Sequence, residues 1–245
     1  MKVVLVTHDS AFGRYVAATL YAASAVDVVL IEQRGPSWRF YWRKLRRVGL
    51  VDFAFQVWLA RWYRQEGARH IPDLALPPHE RIPSANDFSF DADDLAVGFG
   101  TSYITAATLR RLPNGFLNLH TGYLPDFRGV KSEFWTLARG DTSRIGWTLH
   151  YMTTMIDTGD IVLRQRVSWA GESPAALRAK VLRDAAPTIA ALLRDVRERG
   201  VEVLSRSPQG EGTYYTTPRL ADWRRYRQSS LTTPSVRPAP RAPSR

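Results

Sequence analysis

MKVVLVTHDSAFGRYVAATLYAASAVDVVLIE, residues 1–32, runs from one short apolar segment through a polar turn and a helical pattern into a second apolar segment. Residues 1–6 read as a buried strand. His8, Asp9 and Arg14 interrupt the unbroken apolar core that a secretory leader would need. A helix is expected over about 11–23. A second strand follows over 26–31, where the near-continuous Val and Ile suit a strand covered on both faces. Strand, helix and strand in that order imply a right-handed crossover and a parallel sheet. The expected fold class is therefore α/β: a Rossmann-like open, mostly parallel sheet flanked by helices.

The pattern extends outward from this unit. Further strands are expected at 95–99, 116–119, 146–151 and 161–167, the last two joined by a turn at Thr158-Gly159-Asp160. Residues 174–199 carry an apolar helical stripe (Leu177, Val181, Ile189, Leu192, Leu193, Val196) that Gly200 closes. The expected organisation is a catalytic domain over 1–200, an extension over 201–228 packed on it, and a disordered tail over 229–245. The longest apolar stretch, 48–60, contains Asp52 and is too short to span a bilayer, so no transmembrane segment and a cytoplasmic location are expected.

The chain has 245 residues, 44% of them hydrophobic and 23% charged, and no cysteine. That composition suits a globular core and excludes a disulfide scaffold, a Cys-ligated metal and a thiol nucleophile. The formal charge is +11, with 34 basic and 23 acidic residues. Much of it is local. Residues 37–69 hold eight basic and two acidic side chains, the tail holds Arg237, Arg241 and Arg245, and the remainder carries +2. The 37–69 segment also holds Trp38, Trp42, Trp58 and Trp62, four of the eight tryptophans. Gly49 divides it into two expected helices. Each Trp pair is spaced i, i+4 and so shares a face. Three uses fit such a segment: an aromatic face packed on the body or on a second copy, making a homodimer; a surface for an anionic substrate or lipid; or stacking on nucleic acid.

Chemistry concentrates in GFLNLHTGYLPDFRG (115–129) and GWTLHYMTTMIDTGDIV (146–162). Asn118 and His120, two apart at the end of an expected strand, project to one face at its carboxyl end, where open parallel sheets place active sites. An Asn side chain can donate to a developing oxyanion, and His can hold or move a proton near neutrality. Asp157 could keep that imidazole cationic or steer a proton. A set lacking a Ser or Cys nucleophile favours direct acyl transfer.

Asn118-Leu119-His120, Tyr123-Leu124-Pro125, Arg128-Gly129, Leu149-His150 and Ile156-Asp157-Thr158-Gly159-Asp160 together resemble the signature of the N10-formyltetrahydrofolate-dependent formyltransferases. That family includes glycinamide ribonucleotide transformylase, methionyl-tRNA formyltransferase and the sugar N-formyltransferases. The resemblance implies one-carbon transfer with N10-formyltetrahydrofolate as co-substrate and no metal. Asn118 and His120 would stabilise the oxyanion formed when an amine attacks the formyl carbon, and Asp157 would carry the proton toward N10. Gly100, Thr101, Ser102 and Ile104, with Thr153, Thr154 and Ile156, would hold the folate. Gly122, Tyr123 and Arg128 would meet the acceptor. His150 is expected to be a packed, hydrogen-bonded strand residue.

Departures from the family narrow the acceptor. The family's Ser-Leu-Leu-Pro is Gly122-Tyr123-Leu124-Pro125 here. The first turn, residues 7–13, lacks a glycine-rich phosphate loop, which argues against a ribonucleotide acceptor. After residue 200 there is little chain for the tRNA-holding β-barrel of the methionyl-tRNA enzymes. The partner expected is a small-molecule amine: an amino sugar, nucleotide-linked, first, and an amino acid or specialised metabolite second. A nucleic acid is not favoured. A formyltetrahydrofolate hydrolase and an RNA-binding relative of this fold are the alternatives. Residues 212–218 are expected to form a closing strand or a flap by the acceptor.

Overall fold

The computed structural model describes residues 1–33 and 38–232, with side chains to 228. In chain order its elements are β1 (Val3–Thr7), α1 (Ala11–Ala22), β2 (Val28–Glu32), α2 (Trp38–Val48), α3 (Leu50–Ala68), β3 (Glu80–Ile82), β4 (Leu95–Gly98), α4 (Ala106–Arg110), β5 (Phe116–His120), β6 (Phe127–Gly129), α5 (Ser132–Ala138), β7 (Gly146–Tyr151), β8 (Ile161–Arg166), α6 (Pro174–Arg199), β9 (Thr213–Tyr215) and α7 (Leu220–Thr232).

One seven-stranded sheet has the order β3-β2-β1-β4-β5-β7-β8. The strands from β3 to β5 pair in parallel, and β7 and β8 add as antiparallel neighbours. Every residue of β1 is buried. The period of two explains its unbroken apolar run. Val3 and Leu5 enter the core under α1 and α6, with Val29, Leu117, Leu177 and Leu193. Val4 and Val6 enter the opposite core, with Leu30, Ala96, Phe116 and Ile104. The strand order reverses direction between β1 and β4. Chain leaving the two carboxyl ends diverges there and opens a crevice. α1 starts at the same rim, where the Ser10 hydroxyl accepts from Gly13 N at 3.0 Å and caps it.

Residues 37–69 divide as Gly49 suggests, but the halves differ. α3 buries Phe55, Leu59 and Tyr63 against Ala175 of α6, with Trp62 and Trp223 packed around them. The Asp52 carboxylate accepts from Leu220 N at 2.9 Å and ties α7 to this helix. α2 has no buried residue, and Trp38 and Trp42 are 67% and 51% exposed. The aromatic face therefore packs on the body only in its second half.

Some boundaries move. β5 runs to His120, so that side chain stands on the strand itself, and β2 starts at Val28. β9 pairs in parallel with β6, which makes 213–215 a strand at the rim of the crevice. Gly129 has φ 94°, and a Cβ there would collide with the Tyr215 carbonyl, so this close crossing requires glycine. α7 continues to Thr232, four residues into the stretch expected to be disordered. Residues 233–245 lie outside the described residues, as do Arg34 to Ser37.

Candidate active site

A cleft of about 400 Å³ opens where β4 and β5 end. Its walls come from Phe99–Ile104 after β4, Asn118–Thr121 of and after β5, Gly129–Ser132 and the turn around Ile156-Asp157. At its base, four polar side chains meet. Asp157 Oδ2 accepts from Gly129 N at 2.8 Å and lies 3.6 Å from His120 Nδ1. Asp157 Oδ1 lies 3.4 Å from His150 Nε2 and 3.3 Å from Asn118 Nδ2. Asn118 and His150 stand directly opposite each other on β5 and β7. Their side chains touch at 3.1 Å.

The partners fix much of the protonation pattern. His150 Nδ1 is 2.9 Å from the Tyr151 carbonyl and donates there, while Nε2 faces both the Asn118 amide and Asp157 Oδ1. His120 faces an acceptor at each nitrogen: the Phe127 carbonyl 2.7 Å from Nε2 and the Asp157 carboxylate beyond Nδ1. The Ser132 hydroxyl, 3.1 Å from Nε2, packs on the same ring. Burial by itself would raise the Asp157 carboxyl. The charge of His120, the hydrogen bond and charge of His150 and the Gly129 N–H outweigh it and hold Asp157 well below the usual carboxylate range. Asp157 also has φ 54°, a strained conformation for a side chain larger than glycine.

His120 and Asp157 approach each other while Asn118 bridges to His150, so Asn118, His120 and Asp157 form one cluster as their spacing suggested. His150 is the buried, hydrogen-bonded strand residue expected, and it also touches Asn118 and Asp157 and lines the cleft. The Asn118 amide nitrogen donates to Asp157 and lies 3.1 Å from His150 Nε2. Offering a donor to a substrate oxygen requires one of those contacts to open.

Gly100, Thr101, Ser102, Ile104, Thr153 and Ile156 line the cleft. Ser102 donates from both its amide and its hydroxyl to Glu32, which fixes the loop after β4. Thr154 lies just outside the wall, where its carbonyl accepts from the Tyr103 hydroxyl at 3.1 Å and joins the two rims.

The three residues expected at the acceptor stand elsewhere. Gly122 is buried behind His120, where a Cβ would lie 2.5 Å from its Nε2. Tyr123 packs under the guanidinium groups of Arg164 and Arg166, at 4.9 and 5.2 Å. Arg128 donates to Gln209 and to the Gly210 carbonyl, binding β6 to the segment before β9. The cleft is instead bounded on that side by Lys131, Ser132, Arg178 and Tyr214.

Fold and site define an α/β protein with an Asn–His–His–Asp cluster under a cleft at the switch point of its sheet, with the Ser132 hydroxyl beside His120. Residues 89–192 match the family model described as formyl transferase. That stretch contains Asn118, His120, His150 and Asp157. The chain is 35% identical over 80 residues to GDP-perosamine N-formyltransferase of Brucella melitensis, covering 33% of this chain and 30% of that protein. It is 33% identical over 162 residues to methionyl-tRNA formyltransferase of Deinococcus radiodurans, covering 62% of this chain and 49% of that one. The chain thus spans half or less of the length of these curated relatives. Among solved structures, it is similar to the formyltransferase PseJ of Anoxybacillus kamchatkensis in complex with UDP-4,6-dideoxy-4-formamido-L-AltNAc and tetrahydrofolate. That likeness has TM-score 0.51 and 16% identity, covers 92% of this chain and 90% of that one, and speaks for the fold.

Proposed function

We propose that this protein transfers a formyl group from N10-formyltetrahydrofolate to a primary amine on a small molecule, with a nucleotide-linked amino sugar as the leading acceptor. The observation that carries the reading is the buried Asp157 carboxylate, in contact with His120, His150, Asn118 and the Gly129 amide at the base of the cleft. The cleft walls fit the donor. Ile104, Met152 and Ile156 offer apolar surface to a flat ring, and the loops at 100–104 and 153–156 present backbone polar groups beside it. When bound, the donor supplies an activated formyl carbon.

The residues of the chain then divide the work. Asp157 is anionic throughout the physiological range and attracts the acceptor's ammonium group. The ammonium first gives one proton to solvent to free its lone pair. As the amine nitrogen then bonds to the formyl carbon and the bond from that carbon to N10 breaks, the nitrogen loses a second proton and N10 gains one. Asp157 passes that proton from one nitrogen toward the other. His120, oriented by Phe127 and Ser132, and Asn118, once released from His150, are the donors for the oxygen that gains charge. The sugar nucleotide is favoured over other amines by the likeness to sugar N-formyltransferases and by the cationic side of the cleft. Incubation with the donor and a panel of amines, following folate release, tests the reading. Turnover confined to nucleotide-linked amino sugars supports it, and absence of turnover with every amine contradicts it.

A further inference from the structure

We infer that Lys131, backed by Arg178, seats an acidic group carried by the acceptor, a phosphate or a carboxylate placed close to the reacting amine. This rests on the formyl-transfer reading for the identity of the acceptor, but the seat stands on its own geometry. The charged lining residues of the cleft, histidines aside, are Asp157, Lys131 and Arg178. An ammonium group is drawn to the first, and an acid can be met only by the other two.

Lys131 lies between the two catalytic contacts. Gly129, two residues before it, donates to Asp157, and Ser132, next after it, packs on His120. Two residues span at most about 7 Å, so the seat and the transfer centre are neighbours. Lys131 holds φ 61°, a conformation costly for a side chain of its size, which points to a positional demand on that ammonium. Its Nζ rests 3.4 Å from the centre of the Tyr63 ring, and among the described residues it has no carboxylate within ion-pair distance.

Arg178 is held between the rings of Phe12 and Phe99, at 5.3 and 5.8 Å, and its buried Nε has no hydrogen-bond partner. Glu133 offsets only one of these two cations. Its Oε1 accepts from Thr121 at 2.5 Å and lies 3.6 Å from Arg178 Nε. Burial, assisted by Arg178 and opposed by Glu133, pushes the Lys131 ammonium down to about 7, and a bound anion would stabilise its charged form.

The test titrates folate-free wild type, Lys131→Met and Lys131→Arg with inorganic phosphate, pyrophosphate and acetate by calorimetry, and compares KM for acidic and neutral amines. Saturable binding is expected in wild type, weakened about tenfold or more in Lys131→Met and restored in Lys131→Arg. KM for acidic amines is expected to rise with kcat retained, and exposed Arg199→Met should match wild type. Tighter binding of phosphates than of acetate assigns the acid to a phosphate, and the reverse order to a carboxylate. Unchanged binding and KM in Lys131→Met overturn the seat, while turnover of amines leaves the formyl reading standing. Anion binding lost in Lys131→Met without turnover of any amine overturns the formyl reading and keeps the seat. If Lys131→Met melts well below wild type, Lys131→Gln replaces it with the same expected outcomes.

The outer face of α2 carries a second inference independently. At helical spacing, Trp38, Tyr41, Trp42, Leu45 and Val48 share one arc, where Tyr41 meets Phe53 of α3, Leu45 and Val48 are half-buried and the two Trp stay open. Arg39, Arg43, Arg46 and Arg47 lie on the other arc with Phe40. Five basic and no acidic residues lie between Trp38 and Val48. We propose that this face lies in the interfacial plane of an anionic bilayer. A two-fold contact between copies would set these charges against each other. Single-stranded nucleic acid would want rings and Arg interleaved along one face, whereas among the described residues of α2 only Arg46 stands over a ring, that of Trp42 at 5.6 Å. Full-length protein should pellet with vesicles containing phosphatidylglycerol and not with phosphatidylcholine alone. Trp38→Ser/Trp42→Ser and Arg43→Glu/Arg47→Glu should each abolish pelleting. Failure to pellet with anionic vesicles, dimerisation lost in Trp42→Ser, or RNA binding lost in the Arg variant would each overturn it.

Discussion

Replacing Gly122 by Ala tests how tightly the site is built. The added Cβ would lie 2.5 Å from His120 Nε2, 2.6 Å from Ser132 Cβ and 2.7 Å from Ser132 Oγ. Non-bonded carbon contacts settle at about 3.5–4.0 Å, so ring and hydroxyl must retreat by about 1 Å. The backbone cannot retreat instead, because the Gly122 carbonyl accepts from Thr148 Oγ1 at 2.8 Å, and Thr148 Oγ1 accepts from Leu124 N at 3.1 Å. Overpacking of this kind costs about 1–3 kcal/mol. For a chain of this length each kcal/mol lowers the melting temperature by about 2–4 °C. A shift of about 1 Å in His120 should also lower turnover by about 100-fold. Thermal melting and steady-state rates read the two effects. Ser132→Gly removes the crowding atoms, so Gly122→Ser/Ser132→Gly should lose less stability than the sum of its single changes, by about 0.5–3 kcal/mol. A Gly122→Ala protein with wild-type melting and turnover would refute the packing behind His120.

Asp157→Asn removes the charge that holds both imidazoles, and turnover should fall by about 10²–10⁴-fold with folate binding retained, as equilibrium fluorescence would show. The Lys131 ammonium, lowered to about 7 in the fold against 10.5 in the unfolded chain, makes the unfolded state the stronger proton binder between those values. Stability therefore rises with pH across that window. The gain from Lys131→Met in urea melts should be largest near pH 6 and fade toward pH 10, whereas a pH-independent difference would contradict the burial of that charge. Trp223 joins α7 to Phe55, Trp58, Trp62 and Phe134 through ring contacts of 5.2 to 6.2 Å. Trp223→Ala should cost about 3 kcal/mol, read as a lower urea midpoint.

The sheet was legible because its strands are buried on both faces. Residues 3–6 send alternate side chains into two cores, so they stay apolar without interruption. β3 and β6 left no such signal, since three residues cannot establish a period, and the strand at 213–215 was one of two readings open for 212–218. Strand alternation put Asn118 and His120 on one face, and the resemblance to the formyltransferases joined Asp157 to them. That His150, packed as expected, also reaches Asn118 was not legible, because it depends on the antiparallel register of β5 and β7. Ser132, Lys131 and Arg178 gave no local pattern at all: two follow a left-handed turn, and the third reaches the cleft from a helix whose periodicity reports only its buried face.

The central claim is that the Asp157 cluster moves a formyl group to an amine. Folate release from N10-formyltetrahydrofolate, measured with and without nucleotide-linked amino sugars in wild type and Asp157→Asn, tests it most directly. The expected result is release that requires the amine, yields a formylated sugar and disappears in Asp157→Asn. Release at the same rate without any amine would make water the acceptor, and release unaffected by Asp157→Asn would place the chemistry elsewhere.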